Sequence, residues 1–177
     1  MTGLQKFGMV LTIVCSILII GRITTRVIAK YNYSKDIESQ WELADKCSTI
    51  ADKAVYMDNF VTALDNAGLD GQFNAIFLKT PSNSFDLNYK AVKSLQTRLK
   101  EISKMDITSF EYQTAIQQIT QQEQGEACGM LKVFKGVYIK EHYPLLWNWV
   151  GITTGILLLI LLFVGIFFWS EGEVCNL

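Results

Sequence analysis

Residue types that carry chemistry are scarce in this 177-residue chain. There is one histidine, His142, and there are four cysteines: Cys15, Cys47, Cys128 and Cys175. None of them lies in a Cys-x-x-Cys or Cys/His spacing, so the sequence predicts no zinc site. We expect free thiols. The alternative is a disulfide between Cys47 and Cys128, if two helices bring them together.

The chain also lacks the charge surplus and the loops of several ligand-binding classes. Its formal net charge is −1, whereas binding to a phosphate backbone needs clustered basic side chains, so we predict no nucleic-acid partner. Gly68 and Gly71 lack the strand–turn–helix setting of a phosphate-binding loop. No paired carboxylates and no nucleophile–base arrangement can be assembled. We therefore predict a protein that is not an enzyme, with no catalytic, cofactor-binding or metal-binding residues and no cofactor.

Proline occurs only twice, and the alternation of β-branched residues that is typical of strands is scarce, so both features favour helices. The chain also contains long uncharged runs. Leu145–Trp169 contains no charged residue. As a helix this run would be about 37 Å long, enough to cross a hydrocarbon core of about 30 Å. Trp147, Trp149 and Trp169 lie near its ends, where indole rings favour the headgroup level. We predict a transmembrane helix over residues 144–170 and a short acidic tail over 171–177.

A second uncharged run, Phe7–Gly21, lies near the N-terminus between Lys6 and Arg22. It is short for a membrane span, but the apolar residues that follow extend it, and Arg22 and Arg26 can direct their charges to the interface. The alternative is a cleaved signal peptide with Met9–Ile20 as its hydrophobic region. No A-x-A-like cleavage site follows, so we predict an uncleaved anchor over residues 1–29.

The central residues 30–143 show helical periodicity. The apolar residues of a first helix, about Tyr33–Asn66, recur at spacings of three and four. They are Ile37, Trp41, Ala44, Cys47, Ala51, Ala54, Met57, Val61 and Leu64. Gly68 and Gly71 are predicted to end this helix, because glycine commonly follows a helix C-terminus.

Two further helices are predicted after the loop Thr80–Ser84. The second helix, about Phe85–Lys104, has Ser84 as its N-cap, and the third, about Ser109–Tyr143, opens with a Thr108/Glu111 capping box. The expected inner face of the second helix is Leu87, Ala91, Leu95, Leu99 and Ile102; that of the third is Tyr112, Ile116, Ile119, Met130, Phe134 and Val137. The predicted fold is all-α, with two transmembrane helices flanking a small antiparallel helical bundle of about three long helices.

Charge and small residues bear on topology and packing. Arg22, Arg26 and Lys30 follow the first run, and Lys132, Lys135 and Lys140 precede the second, so the positive-inside rule favours a cytoplasmic central domain with both termini outside. Gly151, Gly155 and Gly165 in the second run could let another helix approach closely. A chance Gly-x-x-x-Gly match is the alternative.

A family resemblance lies just after the first run. Tyr31-Asn32 follows the anchor, Glu38 and Gln40-Trp41 come next, and Asn59-Phe60-Val61 stands further on. In these residues the chain resembles the LemA family of bacterial and phage membrane proteins, whose members have a short N-terminal anchor followed by a long helical hairpin. The family's Arg-Arg…Asp-Leu-Ile-Pro core is absent, with Ala54–Asp58 in its place. The resemblance implies a non-enzymatic membrane protein.

The sequence leaves three functional hypotheses in order of preference. The first is a non-catalytic integral membrane protein that acts by helix–helix interaction, as a scaffold or accessory subunit. Its partners would be the lipid bilayer and another membrane protein or a homo-oligomer. The second is a receptor-like module with an exported bundle that signals through a membrane partner, since the residues after Trp169 are too few for an output domain. A pore ranks last, because neither run is amphipathic enough to line water.

Overall fold

The computed structural model describes residues 3–70 and 80–174; for residues 118–128 and 171–174 it describes the backbone only. Within these ranges the chain is helical and contains no β-strand. The elements are α1 (Gly3–Tyr33), a π-helical turn (Ser34–Glu38), α2 (Ser39–Lys46), α3 (Ile50–Asn66), a 3₁₀ turn (Pro81–Asn83), α4 (Phe85–Ile102), α5 (Phe110–His142), α6 (Pro144–Trp147) and α7 (Trp149–Val174). The all-helical prediction is confirmed for the described residues.

The chain divides into two compact units. The terminal unit consists of residues 1–29 and 142–177, and the central unit consists of residues 30–141.

Each end of the chain carries a helical run long and apolar enough to cross a membrane. These runs are Gly3–Lys46, which includes α1, and Trp149–Ser170 within α7. Length and composition alone do not separate a span from a buried soluble helix or, near an N-terminus, from a signal sequence. A buried helix is disfavoured here, because most apolar side chains of both runs are exposed, as at Ile17 and Phe163.

The start of α7 differs from that of the transmembrane helix predicted over residues 144–170. Pro144 forms the first residue of the short helix α6, and Asn148 then adopts an extended backbone that separates α6 from α7. The Asn148 side chain accepts a hydrogen bond from the backbone N–H of Trp149, and its carbonyl accepts one from Ile152. Local hydrogen bonding at Asn148 therefore sets the start of the long helix, which hydropathy does not reveal.

The predicted first helix, Tyr33–Asn66, is wrong as one continuous element. Cys47 and Thr49 have extended backbones, which end α2 and start α3. The Thr49 hydroxyl accepts the backbone N–H of Asp52, the hydrogen bond of an N-cap. The chain therefore turns here and forms a hairpin, in which Trp41 of α2 meets Phe60 of α3.

Gly68 ends α3 as predicted. Its φ of 70° lies in the left-handed region that glycine adopts without steric cost. The backbone N–H of Leu69 donates to the Leu64 carbonyl and that of Gly68 to the Asp65 carbonyl, the pattern of a Schellman cap. The other predicted terminator, Gly71, lies outside the described residues.

The inner face of α4 matches the prediction at Leu99 and Ile102 but differs from it in the N-terminal half of the helix. The buried residues of this helix are Phe85, Tyr89, Val92, Leu99 and Ile102. Leu87 and Ala91 are instead exposed. The prediction followed aliphatic residues at a strict spacing of four, whereas the aromatic rings of Phe85 and Tyr89 occupy the core. Ser84 precedes α4, but its side chain hydrogen-bonds the Asp86 carboxylate and does not cap the backbone.

The N-cap of α5 is one residue later than predicted. The Ser109 hydroxyl accepts the backbone N–H of Tyr112, the third residue of the helix. Thr108 instead donates through its backbone N–H and its hydroxyl to Asp106. On the inner face, Met130, Phe134 and Val137 are buried as predicted. The side chain of Ile119 lies outside the described residues.

Aromatic rings form the core of the central unit. Phe134 of α5 meets Phe60 of α3 at 6.1 Å and Phe85 of α4 at 5.1 Å between ring centroids. Phe60 also meets Trp41 at 5.4 Å. Phe60, Phe85 and Phe134 are fully buried. Three helices are thus joined through one ring, and tilted or edge-on ring pairs of this kind add to the free energy of area burial.

Two acidic residues of α3 accept hydrogen bonds from polar side chains of α4. Tyr89 and Lys93 hydrogen-bond Asp65, and Gln96 and Lys100 hydrogen-bond Asp58. The order of these contacts makes α3 and α4 antiparallel. The hydrogen bond from Lys100 is the main reason that the pKa of Asp58 is lowered.

Phe134→Ala should destabilise the chain, whereas Phe110→Ala should not. Removal of the fully buried Phe134 ring leaves a cavity at the point where three helices meet, for which we expect a loss of about 3–5 kcal/mol of unfolding free energy. Phe110 is 81% exposed, so its truncation should change this value by less than about 0.5 kcal/mol. Denaturant unfolding of the full chain in detergent measures both. Equal losses would contradict the aromatic core.

Candidate functional site

The described residues contain no cluster that could hold a metal ion, since no group of three or more His, Cys, Asp or Glu side chains converges there. Cys15 and Cys47 are free thiols, and the side chain of Cys128 lies outside the description. The candidate sites are therefore surfaces for contact, and there is one in each unit.

Within the terminal unit, α1 and α7 pack against each other as an antiparallel pair. Gly8 lies against Gly165 and Trp169 near the C-terminal end of α7. Arg22, further along α1, hydrogen-bonds Gly151 and Thr154 near the start of α7. The start of α1 thus contacts the end of α7, and a later part of α1 contacts the start of α7, so the two helices are antiparallel.

The closest approach of the two helices depends on two glycines. A Cβ atom added at Gly8 would lie 2.9 Å from the Gly165 carbonyl oxygen and 2.9 Å from the backbone nitrogen of Trp169. A Cβ at Gly165 would lie 3.2 Å from the Gly8 carbonyl oxygen and 2.6 Å from the Thr12 hydroxyl oxygen. Any larger residue would therefore push the two backbones apart, which is the role of small residues at membrane helix interfaces.

The three glycines predicted to permit close approach have different neighbours. Gly165 contacts the backbone of α1, as described. Gly155 faces the Arg22 guanidinium, since an added Cβ would lie 3.3 Å from Nη2. Gly151 faces the backbone of Leu145, in the residues just before α7. The sequence pattern Gly151–Gly155 therefore does not pair two helix backbones here; Gly8 and Gly165 do.

Arg22 joins the two helices at the opposite end of the pair. Its Nη2 donates to the Gly151 carbonyl at 2.7 Å, and its Nη1 donates to the Thr154 hydroxyl at 3.1 Å. The two bonds use the planar fork of the guanidinium, which an ammonium group could not reproduce. This contact holds the register between α1 and α7.

The threonine hydroxyls of the pair donate hydrogen bonds within their own helices. Each described threonine of the terminal unit donates to the carbonyl four residues earlier: Thr12 to Gly8, Thr24 to Ile20, Thr25 to Gly21, Thr153 to Trp149 and Thr154 to Val150. These hydroxyls need no water, because their donors bond the helix backbone. The pair is thus compatible with a hydrocarbon environment.

In the central unit, a polar cluster lies beside the π-helical turn. Lys135 of α5 forms an ion pair with Glu38 at 2.9 Å, and both side chains are largely buried, at 29% and 20% exposure. The Lys135 ammonium also lies 5.3 Å from the centroid of the Tyr33 ring. The Tyr33 hydroxyl donates to the Leu131 carbonyl at 3.2 Å. These contacts join the first and the last residues of the central unit. Because Tyr33 meets Tyr138 and the later residue Glu38 meets the earlier residue Lys135, the two segments run antiparallel.

A groove of about 450 Å³ lies next to this cluster. Its lining residues are Glu38, Trp41, Glu42, Asp45, Lys46, Leu131, Lys132 and Lys135. Trp41 and Leu131 supply apolar surface, α2 contributes the carboxylates of Glu42 and Asp45, and α5 contributes the ammonium of Lys132. The lining includes no pair of a nucleophile and a base.

The sequence predicted no site residues, and these contacts show why. Glu38 and Lys135 are 97 positions apart, and Arg22 and Gly151 are 129 positions apart, so no local motif connects them. The residues that resemble the LemA family spread over several environments. Glu38 is ion-paired, Phe60 lies in the aromatic core, and Tyr31 is exposed.

Comparison with known proteins gives no relative: no protein-family model, no curated protein and no solved structure matches this chain.

The Glu38–Lys135 pair should couple more strongly than an exposed pair. A double-mutant cycle with Glu38→Gln and Lys135→Met should give a coupling free energy of about 1–2 kcal/mol, because removing one charge leaves the other partly buried. The exposed pair Glu42–Lys46 is the control and should give less than about 0.5 kcal/mol. Equal coupling in the two cycles would mean that the cluster does not hold the unit together.

Proposed function

We propose that this chain is a non-catalytic integral membrane protein that acts by helix–helix interaction, as a scaffold or accessory subunit of a membrane assembly. Its two transmembrane helices, α1 and α7, flank an antiparallel helical bundle. The observation that carries the proposal is the contact of α1 with α7 at Gly8 and Gly165, which makes the two apolar helices one packed pair.

The packed pair argues that α1 is a permanent anchor rather than a cleaved signal sequence. Removal of α1 would expose the glycine surface of α7 and would leave the Gly151 carbonyl and Thr154 without Arg22. Gln5 and Cys15 of α1 are also buried. A segment that is discarded after export has no need of such contacts with the retained chain.

The outer faces of the pair supply the surfaces for lipid and for other membrane helices. Apolar side chains are exposed along both helices, for example Phe7, Ile17, Ile160 and Phe163. In water such faces would aggregate, whereas in a bilayer they meet acyl chains or another apolar helix. The expected partners are therefore the lipid bilayer and a second membrane protein or a second copy of this chain. The LemA resemblance favours the same class of non-enzymatic membrane protein.

The side of the membrane separates this function from its main alternative. Arg22, Arg26 and Lys30 follow the first apolar run and only Lys6 precedes it, which favours a cytoplasmic bundle with both termini outside. The alternative is a receptor-like module with an exported bundle, and the groove beside Trp41 favours it, because such a module needs a place to bind its ligand.

Thiol labelling of intact cells should locate the bundle. In a chain whose native cysteines are replaced by serine, Ser82→Cys and Lys6→Cys each place one thiol at an exposed position. An impermeant maleimide should label Lys6→Cys in intact cells and Ser82→Cys only after permeabilisation. The permeabilised sample is the control for accessibility of both thiols. The reverse pattern would support the exported, receptor-like alternative.

Gly8→Val should dissociate the assembly, whereas Gly21→Val should not. Valine at position 8 would collide with the backbone of α7, so the outer faces of the two helices would lose their common arrangement. Position 21 of the same helix has open space around it, so the same substitution should be tolerated. Size-exclusion chromatography with light scattering, after mild detergent extraction, measures the assembly. We expect the wild type and Gly21→Val in a complex and Gly8→Val as a monomer.

Two results would contradict the proposal. The first is release of the wild-type chain from membranes by alkaline carbonate, which would show that it is not integral. The second is a wild-type chain that is monomeric after extraction and after crosslinking in cells.

A further inference from the structure

The two apolar helices of the terminal unit carry basic residues, whereas the acidic residues of this unit, Glu171 and Glu173, follow Trp169 at the end of α7 that lies beside Gly8. Residues 1–29 and 142–170 contain no Asp or Glu, but they contain Lys6, Arg22 and Arg26. The Arg22 guanidinium is bonded only to a carbonyl and a hydroxyl, both of them neutral. Arg26 is exposed and makes no hydrogen bond or ion pair with a described residue. Neither guanidinium therefore has an acidic partner within residues 1–29 and 142–170.

The two arginines lie one helical turn apart, on one face of α1. Residues four positions apart on a helix have Cβ atoms about 5–6 Å from each other. The side chain of Arg22 is already held in place by its two bonds to α7, so the remaining N–H groups of its fork are fixed in direction. A single phosphate group could be bound by both arginines, since guanidinium forks match phosphate oxygens in pairs.

The neighbouring side chains indicate the depth of the two arginines in a membrane. Ile23, Val27 and Ile28 are exposed in the same turns of α1, and Trp149 is exposed at the start of α7, at the level of Arg22. Exposed aliphatic residues next to an exposed indole are typical of the boundary between hydrocarbon and headgroups. Lipid phosphates are the anions at that level.

We infer that Arg22 and Arg26 form a binding site for the headgroup phosphate of an anionic phospholipid, which supplies a counter-ion to these two side chains. This inference rests on the proposed insertion of α1 and α7 into a membrane. An anionic lipid is favoured over a zwitterionic one, because the choline group of the latter would bring a further positive charge to a site that already has two. Basic sites between transmembrane helices bind anionic headgroups in this way.

Native mass spectrometry of the full chain in detergent tests the site, with equimolar phosphatidylglycerol and phosphatidylcholine as probes. The wild type should retain phosphatidylglycerol preferentially. Arg26→Gln should lower that retention about fivefold, the effect of one basic charge near a headgroup. Arg26→Lys should lower it less, because the charge remains and only the fork is lost. Arg22→Gln should also lower it, together with the bonds to α7.

Lys6→Gln is the matched control. Lys6 is exposed, makes no hydrogen bond or ion pair with a described residue, and lies at the other end of the apolar run of α1, so its loss removes the same charge from a different place. Its retention of phosphatidylglycerol should equal that of the wild type. Circular dichroism of each variant checks that the helices remain folded.

Three results would overturn the inference. They are equal retention of the two lipids by the wild type, an equal loss in Lys6→Gln and Arg26→Gln, and displacement of phosphatidylglycerol by millimolar inorganic phosphate, which would assign the site to a free anion. These failures differ from failure of the proposed function. A chain that resists carbonate extraction yet shows no lipid preference would contradict the lipid site only.

Discussion

A polar group that leaves water must find a hydrogen-bond partner in the protein, and this constraint governs the central unit and, under the proposed membrane insertion, the terminal unit as well. In the terminal unit it is met by short-range means, since the threonine hydroxyls bond carbonyls of their own helices. Arg22 is the exception, because its own helix offers no free acceptor for a guanidinium; it reaches across to the Gly151 carbonyl instead. A polar requirement of one helix thus fixes the position of the other, and the glycines at 8 and 165 allow the approach that this bond needs.

The central unit meets the same constraint with longer connections. Glu38 and Lys135 enter a partly buried region only as a pair, and the Tyr33 hydroxyl beside them donates to the Leu131 carbonyl. An ion pair of this kind contributes little net stability, because desolvation of the two charges offsets their attraction. Its effect is to select one register between the π-helical turn and α5. Stability comes instead from the phenylalanine rings of Phe60, Phe85 and Phe134, which have no polar group to satisfy.

The sequence allowed the helices to be predicted better than their contacts. Hydropathy and periodicity identified the apolar runs, and Gly68 identified the end of α3, because these signals are local. The turn at Cys47–Thr49 could not be predicted from hydropathy, because apolar residues recur at the same helical spacing before and after it. The spacing of Thr49 and Asp52, which is that of an N-cap, was the local signal for the turn. The inner face of α4 was misplaced in its N-terminal half because several registers bury similar numbers of aliphatic residues, and only the partners Phe60 and Phe134 decide between them. Gly165 was predicted to permit a close helix contact, but its partner Gly8 could not be predicted, since Gly8 does not differ locally from Gly21.

The pairing of charges also bears on the proposed orientation. The positive-inside rule counts lysine and arginine near the ends of a span and gives acidic residues little weight. The ion pair with Glu38 therefore does not remove Lys135 from the count, and the absence of carboxylates around Arg22 and Arg26 does not add to it. The absence of carboxylates matters instead for which charges remain unpaired once the helices are inserted in the proposed way. The charge of Lys135 is paired with Glu38 inside the folded bundle. The charges of Arg22 and Arg26 are left to pair with anionic lipids, which are abundant on the cytoplasmic face. In the proposed orientation the same two arginines act both as topological signals and as lipid contacts.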